Sequence, residues 1–218
     1  MKYSPYSFSK ISCYQDCNRK FKYKYIDKIK VPINNEALVK GSKIHKILEL
    51  EDFTNYNNDL EYKEIIDKFV NSDIGKDIFS KKSIKEYQIK LDSRINPCKS
   101  DHIFVGYVDR INQSDILELI DYKTGKYKEL QYQSFTQLIF YAIYFFRKYS
   151  NIDKIKIRYV YVEHCLENTL ELERQYLDVY LDTFKKSIIE IETSEYYLKN
   201  TKFCNWCEYK DLCDKDLT

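Results

Sequence analysis

The stretch from Gly106 to Gly125 constrains the fold more than any other part of this chain. Its two apolar runs cover Phe104–Ile111 and Ile116–Ile120, and a polar connector, Asn112–Asp115, joins them. Short apolar runs separated by a few polar residues are typical of a β-hairpin. The sequence therefore predicts a hairpin here, with the remaining elements arranged around it.

Three charged side chains come from the predicted hairpin. Strand alternation places Asp121 and Lys123 on one side and Tyr122 on the other. Asp109 is predicted to end the first strand, where antiparallel pairing brings it beside Asp121. An Asp-x-Lys alone is most often a solvated strand edge or a surface ion pair. The apolar residues around both acids favour a Mg²⁺ or Mn²⁺ site instead, because a carboxylate at the border of the core needs a compensating charge.

Length and composition limit the number of domains and the classes of partner that the chain can have. The 218 residues suit one domain over residues 1–218, and a net charge of +2 gives no overall sign of a nucleic-acid binder. Local basic surfaces are possible at Lys20–Lys30 and Lys81–Lys85, although a solvated helix face or loop explains both equally well. No apolar run approaches the ~20 residues of a membrane span, and no signal peptide is evident. We expect a cytoplasmic protein without a membrane partner.

Periodicity divides the domain into three parts. The predicted helical N-terminal part covers residues 1–80, the mixed-sheet core covers residues 81–193, and a cysteine-rich tail covers residues 194–218. Apolar spacing predicts helices over 4–29, 37–53, 129–149 and 176–191, two short helices within 55–79, and strands over 83–91, 154–163 and 169–173. This order predicts an α/β fold, a mixed sheet flanked by helices.

The tail carries three cysteines in a Cys-x2-Cys-x5-Cys pattern, namely Cys204, Cys207 and Cys213. Thiolates at this spacing favour metal ligation over fortuitous cysteines. Zn²⁺ usually takes two Cys-x-x-Cys pairs and only one is present, so a [4Fe–4S] cluster completed by a lone upstream cysteine is the better prediction. Cys98 and Cys165 have no place in this pattern.

Gly-x-x-Asp-Arg-Ile at 106–111, followed by Ile-Asp-Tyr-Lys-Thr-Gly at 120–125, resembles the core of the PD-(D/E)XK nucleases, in particular their RecB-like branch. The resemblance implies a restriction-endonuclease-like mixed sheet and a metal-dependent DNA nuclease. It implies that Asp109, Asp121 and the backbone carbonyl of Tyr122 bind the divalent ion. Lys123 would then position or deprotonate the attacking water.

Three further patterns extend the resemblance. Gly41-x3-His45-x3-Glu49 is similar to a motif whose histidine binds the metal or lies next to its ligands; a packed or surface histidine is the alternative. Family members often carry a glutamate on the first strand, which makes Glu86 a candidate. Gln137-x3-Tyr141 resembles an auxiliary motif that contacts DNA or supports the active site.

RecB-like nucleases with an iron–sulfur cluster, including the exonuclease of CRISPR spacer acquisition and AddB-type nuclease domains, complete the cluster with an early cysteine. Here that residue is Cys17, followed by Asn18 where the family usually has proline; Cys13 is the rival ligand. The resemblance thus implies that Cys17, Cys204, Cys207 and Cys213 join the N- and C-terminal segments.

The expected activity is hydrolysis of phosphodiester bonds by an exonuclease acting on single-stranded DNA or DNA ends. A catalytically silent DNA-binding or assembly module of the same fold is one alternative, and a structural zinc protein is another. DNA is the expected partner, with protein partners in CRISPR adaptation, recombination repair or phage replication left open.

Overall fold

The computed structural model describes residues 1–32, 36–51, 53, 60–194 and 204–215. A five-stranded sheet with the order β1-β2-β3-β4-β5 forms its centre. Its strands are β1 (Lys82–Leu91), β2 (Phe104–Gln113), β3 (Leu117–Lys123), β4 (Lys154–Tyr161) and β5 (Leu166–Glu173). The described helices are α1 (Phe8–Asp16), α2 (Asn18–Phe21), α3 (Glu36–Leu50), α4 (Leu60–Asn71), α5 (Asp73–Phe79), α6 (Thr136–Lys148), α7 (Leu177–Thr193) and α8 (Lys210–Lys215).

The sheet is mixed, as predicted. β1, β2 and β3 pair antiparallel, and so do β4 and β5, whereas β3 and β4 run parallel. A parallel pair needs a long crossover connection, and α6 provides it. The predicted hairpin is therefore confirmed as β2–β3, at the centre of an α/β sheet flanked by helices.

One face of the sheet packs against α6 and α7. Phe104 of β2, Phe140 of α6 and Phe184 of α7 form a three-ring contact with centroid separations of 5.0 to 6.4 Å. All three rings are fully buried. This larger core holds α6 against the sheet, and its N-terminal turn consequently lies beside β3.

The other face carries a smaller core formed with α3, α4 and α5. Ile44 of α3, Phe69 of α4 and Ile78 of α5 pack against Ile120 and Tyr122 of β3. Alternation along β3 follows the period-two rule, because Leu119 faces the larger core while Ile120 and Tyr122 face the smaller one. Asp121 and Lys123 thus project away from Tyr122, as predicted.

The predicted N-terminal helix is interrupted. Ser7 caps α1 by accepting a hydrogen bond from the backbone of Lys10, and α1 ends at Asp16. Cys17 has extended dihedrals (φ −161°, ψ 114°) and caps the short helix α2, which continues into a π-helical turn at Lys22–Ile26. The break turns the Cys17 side chain toward the start of a new helix instead of leaving it on a continuous helical surface.

Two predicted boundaries were wrong for a physical reason. The helix predicted from Glu129 begins only at Thr136, because the apolar stripe that packs on the sheet starts near Phe135; Leu130–Tyr132 forms a separate 3₁₀ turn. The second hairpin turns early, at a 3₁₀ turn over Val162–His164. Residues 55–59 of the predicted short helices and residues 195–203 of the predicted tail lie outside the described residues.

The lysines of the two possible basic surfaces mostly contact carboxylates. Lys20 pairs with Glu208 at 2.8 Å, Lys81 with Glu118 at 3.0 Å, and Lys85 with Glu51 at 3.0 Å. These contacts favour the alternative given for both segments, a solvated surface, whose lysines are here paired with acids. None of the described helices is long and apolar enough to cross a membrane. The division into three parts of one domain stays a prediction.

Candidate active site

Three carboxylates lie in one row across neighbouring strands. Lys85 of β1 pairs with Arg110 of β2 and Tyr87 pairs with Val108, which places Glu86 opposite Asp109. Arg110 pairs with Ile120 of β3, so the next position along the hairpin brings Asp109 beside Asp121. The hairpin register thus joins the two predicted acids and adds Glu86 to them.

Asp109 does not end its strand, contrary to the prediction. β2 continues to Gln113, and the ladder between β2 and β3 stops instead at Arg110 and Ile120. The next backbone N–H of β3 available to this site, that of Tyr122, donates to Asp109 Oδ2 at 2.8 Å. The side chain of Asp109 therefore satisfies a backbone group at the position where the two strands separate.

Strand alternation is also broken at this row. Glu86 has φ 48°, in the left-handed region that non-glycine residues rarely occupy. Lys85 forms an ion pair with Glu51, which follows α3, on the side of the sheet that carries the smaller core. Tyr87, two residues later, packs against the larger core on the other side. Two residues of equal parity therefore face opposite sides of the sheet, and the distortion at Glu86 brings its carboxylate to the site.

Helix α3 covers the row of acids and supplies His45. Its Nδ1 lies 3.3 Å from Asp109 Oδ2, and the ring also makes a hydrogen bond to the backbone of Tyr122. Gly41, one turn earlier, permits this close approach, because a Cβ there would lie 2.9 Å from Thr124 Oγ1. His45 and the carbonyl predicted to share a metal therefore lie side by side.

Glu49 was not among the predicted site residues, although it lines the same cavity. Its position four residues after His45 places it one turn along the same helix face. That spacing was the available signal, and the glutamate at its end could have been assigned from it.

Helix α6 contributes the predicted pair Gln137 and Tyr141. Gln137 Nε2 donates to Asp121 Oδ1 at 2.6 Å and lies 3.3 Å from Tyr141 Oη, while Lys123 Nζ donates to Gln137 Oε1 at 3.3 Å. Lys123 Nζ also lies 4.7 Å from the centroid of the Tyr159 ring. Gln137 therefore connects the acid and the lysine of the Asp-x-Lys pattern.

The crowding of acids changes their proton affinities. Burial raises the pKa of Asp109 well above its ordinary value, and the charges of Asp121 and Glu86 raise it further. Burial, together with Glu49 and Asp121, likewise raises the pKa of Glu86. Burial lowers the pKa of His45, so the ring favours its neutral form. A neutral imidazole among acids that resist ionisation is an environment in which a cation is favoured.

These residues fit a hard divalent ion. Asp121 Oδ2 is buried and lacks a hydrogen bond, although it lies 2.5 Å from Lys123 Nζ as an ion pair. The cavity, about 740 Å³, offers carboxylate oxygens and an imidazole, which suit Mg²⁺ or Mn²⁺. Across the described residues, no three His, Cys, Asp or Glu side chains are already assembled for metal binding.

The cysteines predicted to bind a cluster influence one another electrostatically. Burial raises the pKa of the Cys213 thiol, and the neighbouring thiols of Cys17, Cys207 and Cys204 raise it further, against Arg19. Burial raises the pKa of Cys13 to about 11, and the charged groups that act on it are Lys20, Lys24, Glu208 and Asp16. None of the seven cysteines, all of which the structure describes, forms a disulfide. Cys17 is among the groups that act on Cys213, and the cluster itself stays a prediction.

Comparisons with known proteins bear on the family of the chain. A family model described as the PD-(D/E)XK nuclease superfamily matches residues 5–214. A solved structure titled "Crystal structure of SSO0001" is similar with a TM-score of 0.45 and 15% identity, over 95% of this chain and 86% of that one. No curated protein matches the chain.

Proposed function

The chain belongs to the PD-(D/E)XK nuclease superfamily, and from this premise we propose a divalent-metal-dependent deoxyribonuclease of the RecB-like branch. The superfamily assignment supports a nuclease in general. The observation that carries the finer proposal is the row of Glu86, Asp109 and Asp121 with Lys123 at one cavity. We propose exonuclease action on single-stranded DNA or DNA ends.

Each residue of the site has a distinct task in this proposal. Asp109 and Asp121 bind the ion, with His45 and the backbone carbonyl of Tyr122 completing the ligands. When bound, Mg²⁺ or Mn²⁺ supplies Lewis acidity to the phosphodiester and lowers the pKa of water. Lys123 orients the attacking water and offsets the negative charge that develops on the phosphate.

The remaining predicted residues position these groups. Gln137 holds both Asp121 and Lys123 through its two amide atoms. Tyr141 Oη accepts a hydrogen bond from Gln137 Nε2, and the Tyr141 ring packs against Gly106. Glu86 adds a carboxylate opposite Asp109, and burial together with the charges of Glu49 and Asp121 raises its pKa.

We also propose a [4Fe–4S] cluster held by Cys17, Cys204, Cys207 and Cys213, with Zn²⁺ the less favoured occupant. This set is supported by the electrostatic effect of these thiols on one another: Cys17, Cys204 and Cys207 raise the pKa of Cys213, and Cys17 raises the pKa of Cys207. Its role is structural, because a cluster between the ends of the chain adds its binding free energy to that of folding.

Degradation of end-labelled single-stranded and duplex DNA with Mn²⁺ tests the nuclease proposal. We expect Asp121→Ala and Lys123→Ala to lose activity while keeping their folds, as judged by circular dichroism, and exposed Lys186→Ala to keep the wild-type rate. Equal activity in all four proteins would reject the assignment. DNA binding without cleavage by the wild type would indicate the silent module instead.

Visible absorbance of anaerobically purified protein tests the cluster. A band near 400 nm (roughly, as expected of an Fe–S chromophore) should be lost in Cys17→Ser and retained in Cys98→Ser. Zinc without the band would assign the tail to a zinc site.

A further inference from the structure

A second cavity lies on the same edge strand as the candidate active site. It has a volume of about 290 Å³, and Ile84 and Tyr87 of β1 form part of its wall. Glu86, between these two residues in the chain, lines the first cavity. At about 3.3 Å per strand residue, Ile84 is only ~7 Å along β1 from Glu86. The two cavities therefore share β1 as part of their walls.

The chemistry of the second cavity differs from that of the first. Three aromatic rings line it, those of Tyr87, Phe145 and Tyr149, and Tyr149 is the most exposed of them at 39%. Two amide side chains, Gln113 and Asn151, provide donors and acceptors at the wall. The volume is at the lower end of small-ligand pockets, which run from about 300 to 1,000 Å³. Such a pocket suits one planar heteroaromatic ring.

Lys148 lies next to two of these aromatic side chains. Its Nζ donates to Tyr87 Oη at 2.8 Å and to Tyr144 Oη at 3.3 Å, and it lies 5.2 Å from the Tyr149 ring centroid. Within the described ranges, no carboxylate contacts Lys148, whereas Lys81 and Lys85 each pair with one. A cation held by tyrosines alone keeps its attraction for a phosphate.

We propose that this cavity binds one nucleotide of the substrate strand, with its base against Tyr149 and its phosphate beside Lys148. The proposal rests on the nuclease function, since it assigns a subsite for the strand that is cleaved. Aromatic stacking combined with a cation that tracks the backbone is how single-stranded nucleic acid is bound without sequence readout. Because Gln137 lies in the first turn of α6 and Tyr149 follows its last residue, the bound nucleotide belongs to the cleaved strand but lies away from the scissile bond.

Binding of a short single-stranded oligothymidylate to the full chain, with Ca²⁺ in place of Mn²⁺, tests the proposal. Tyr149→Ala should weaken binding by about 5-fold to about 150-fold, the value of one base–aromatic stack. Tyr149→Phe keeps the ring and should bind like the wild type. With 2-aminopurine placed at each position in turn, one position should be quenched in the wild type and not in Tyr149→Ala.

Lys148→Gln provides an independent readout that a purely structural role would not change. Loss of one phosphate contact lowers the slope of log affinity against log salt concentration by about 0.7 for a single strand. The matched control Lys186→Gln, an exposed lysine on α7, should leave the slope unchanged. Thermal unfolding checks the folds, and if Tyr149→Ala is unstable, the salt slope of Lys148→Gln decides.

The outcomes separate the two proposals. Wild-type cleavage together with unchanged binding and salt slope in both variants overturns the nucleotide subsite and leaves the nuclease intact. Absence of wild-type cleavage, with the expected binding losses in the variants, overturns the nuclease and retains the subsite as a nucleic-acid contact. Absence of both cleavage and binding overturns both.

Discussion

Asp109 shows, at the scale of one residue, how a site can act against the stability of its own fold. Its carboxylate is mostly buried beside Asp121 and Glu86, and burial raises its pKa well above the ordinary value. Since the folded state then binds more protons than the unfolded state, the stability of the metal-free protein falls as pH rises from about 4 through the raised pKa.

Asp109→Asn should therefore stabilise the metal-free protein at neutral pH. We expect its melting temperature to rise by about 2–4 °C, which corresponds to about 1 kcal/mol for a chain of this size. The difference from wild type should shrink as the pH falls below about 4, where Asp109 becomes protonated in both states. Adding Mn²⁺ should raise the melting temperature of the wild type alone, and a variant less stable than wild type at every pH would contradict this account.

Gly106 carries a second prediction at the residue scale. A Cβ at this position would lie 2.5 Å from Cε1 of the buried Tyr141 ring. Gly106→Ala must therefore displace that ring, and with it Gln137, which holds Asp121 and Lys123. We expect a loss of about 1–3 kcal/mol in the free energy of unfolding, the usual cost of overpacking, and reduced DNA cleavage.

Gly125→Ala is the matched control for stability. Nothing lies within 4 Å of a Cβ at Gly125, and its φ is not positive. Urea titration should show this variant unchanged or slightly stabilised, because alanine lowers the entropy of the unfolded chain. Equal destabilisation of both glycine variants would show that contact with Tyr141 is not the cause.

At the scale of elements, Arg110 connects α3 to the sheet. The side chain is 2% exposed and contacts Glu51, directly after α3, as well as Asn112 Oδ1 at 2.7 Å and the carbonyl of Ile78 at 3.1 Å. Asp109 is its neighbour on β2, and His45 and Glu49 belong to α3. The contact therefore holds the two halves of the proposed metal site in register.

Arg110→Met should weaken both folding and metal binding. Removing one partner of a buried ion pair costs about 3–5 kcal/mol, and we expect the lower end because Glu51 is one-third exposed. Lys85→Met, which removes only the more exposed contact to Glu51, should cost much less. Calorimetric titration with Mn²⁺ measures the second effect, and unchanged affinity in Arg110→Met would show that α3 is held by its apolar contacts alone.

The element scale also explains the limits of prediction from pattern. Helices α6 and α7 were predicted because their apolar spacing continues over several turns. The distortion at Glu86 was not, because strict alternation is the rule that periodicity assumes. Its left-handed conformation depends on pairing with β2, which lies some twenty residues away in the chain.

At the scale of the whole molecule, the two ends of the described chain meet. Tyr209 is buried, donates to the carbonyl of Ile29 at 3.1 Å, and lies 5.6 Å from the Tyr23 ring centroid. Glu208 pairs with Lys20 at 2.8 Å. These contacts bring Cys207 and Cys213 toward the segment that carries Cys17.

Tyr209→Ala should release the C-terminal segment. Removing a buried aromatic ring costs about 3–5 kcal/mol, and here the loss falls on the contact between the two ends. We expect faster hydrogen exchange in α8 and a lower iron content, with exchange in β2 and β3 unchanged. Tyr209→Phe, which loses only the hydroxyl, is the control; wild-type exchange in α8 of Tyr209→Ala would refute the anchoring role.

The sequence by itself determined the β2–β3 hairpin, the common side of Asp121 and Lys123, and the helices that flank the sheet. Those features follow from the spacing of apolar and polar residues that are close together in the sequence. Only the tertiary structure decided that Glu86 lies opposite Asp109 and that Lys148 contacts Tyr87. The reason is physical: strand register and side-chain pairing are set by contacts between residues distant in sequence, which local patterns do not record.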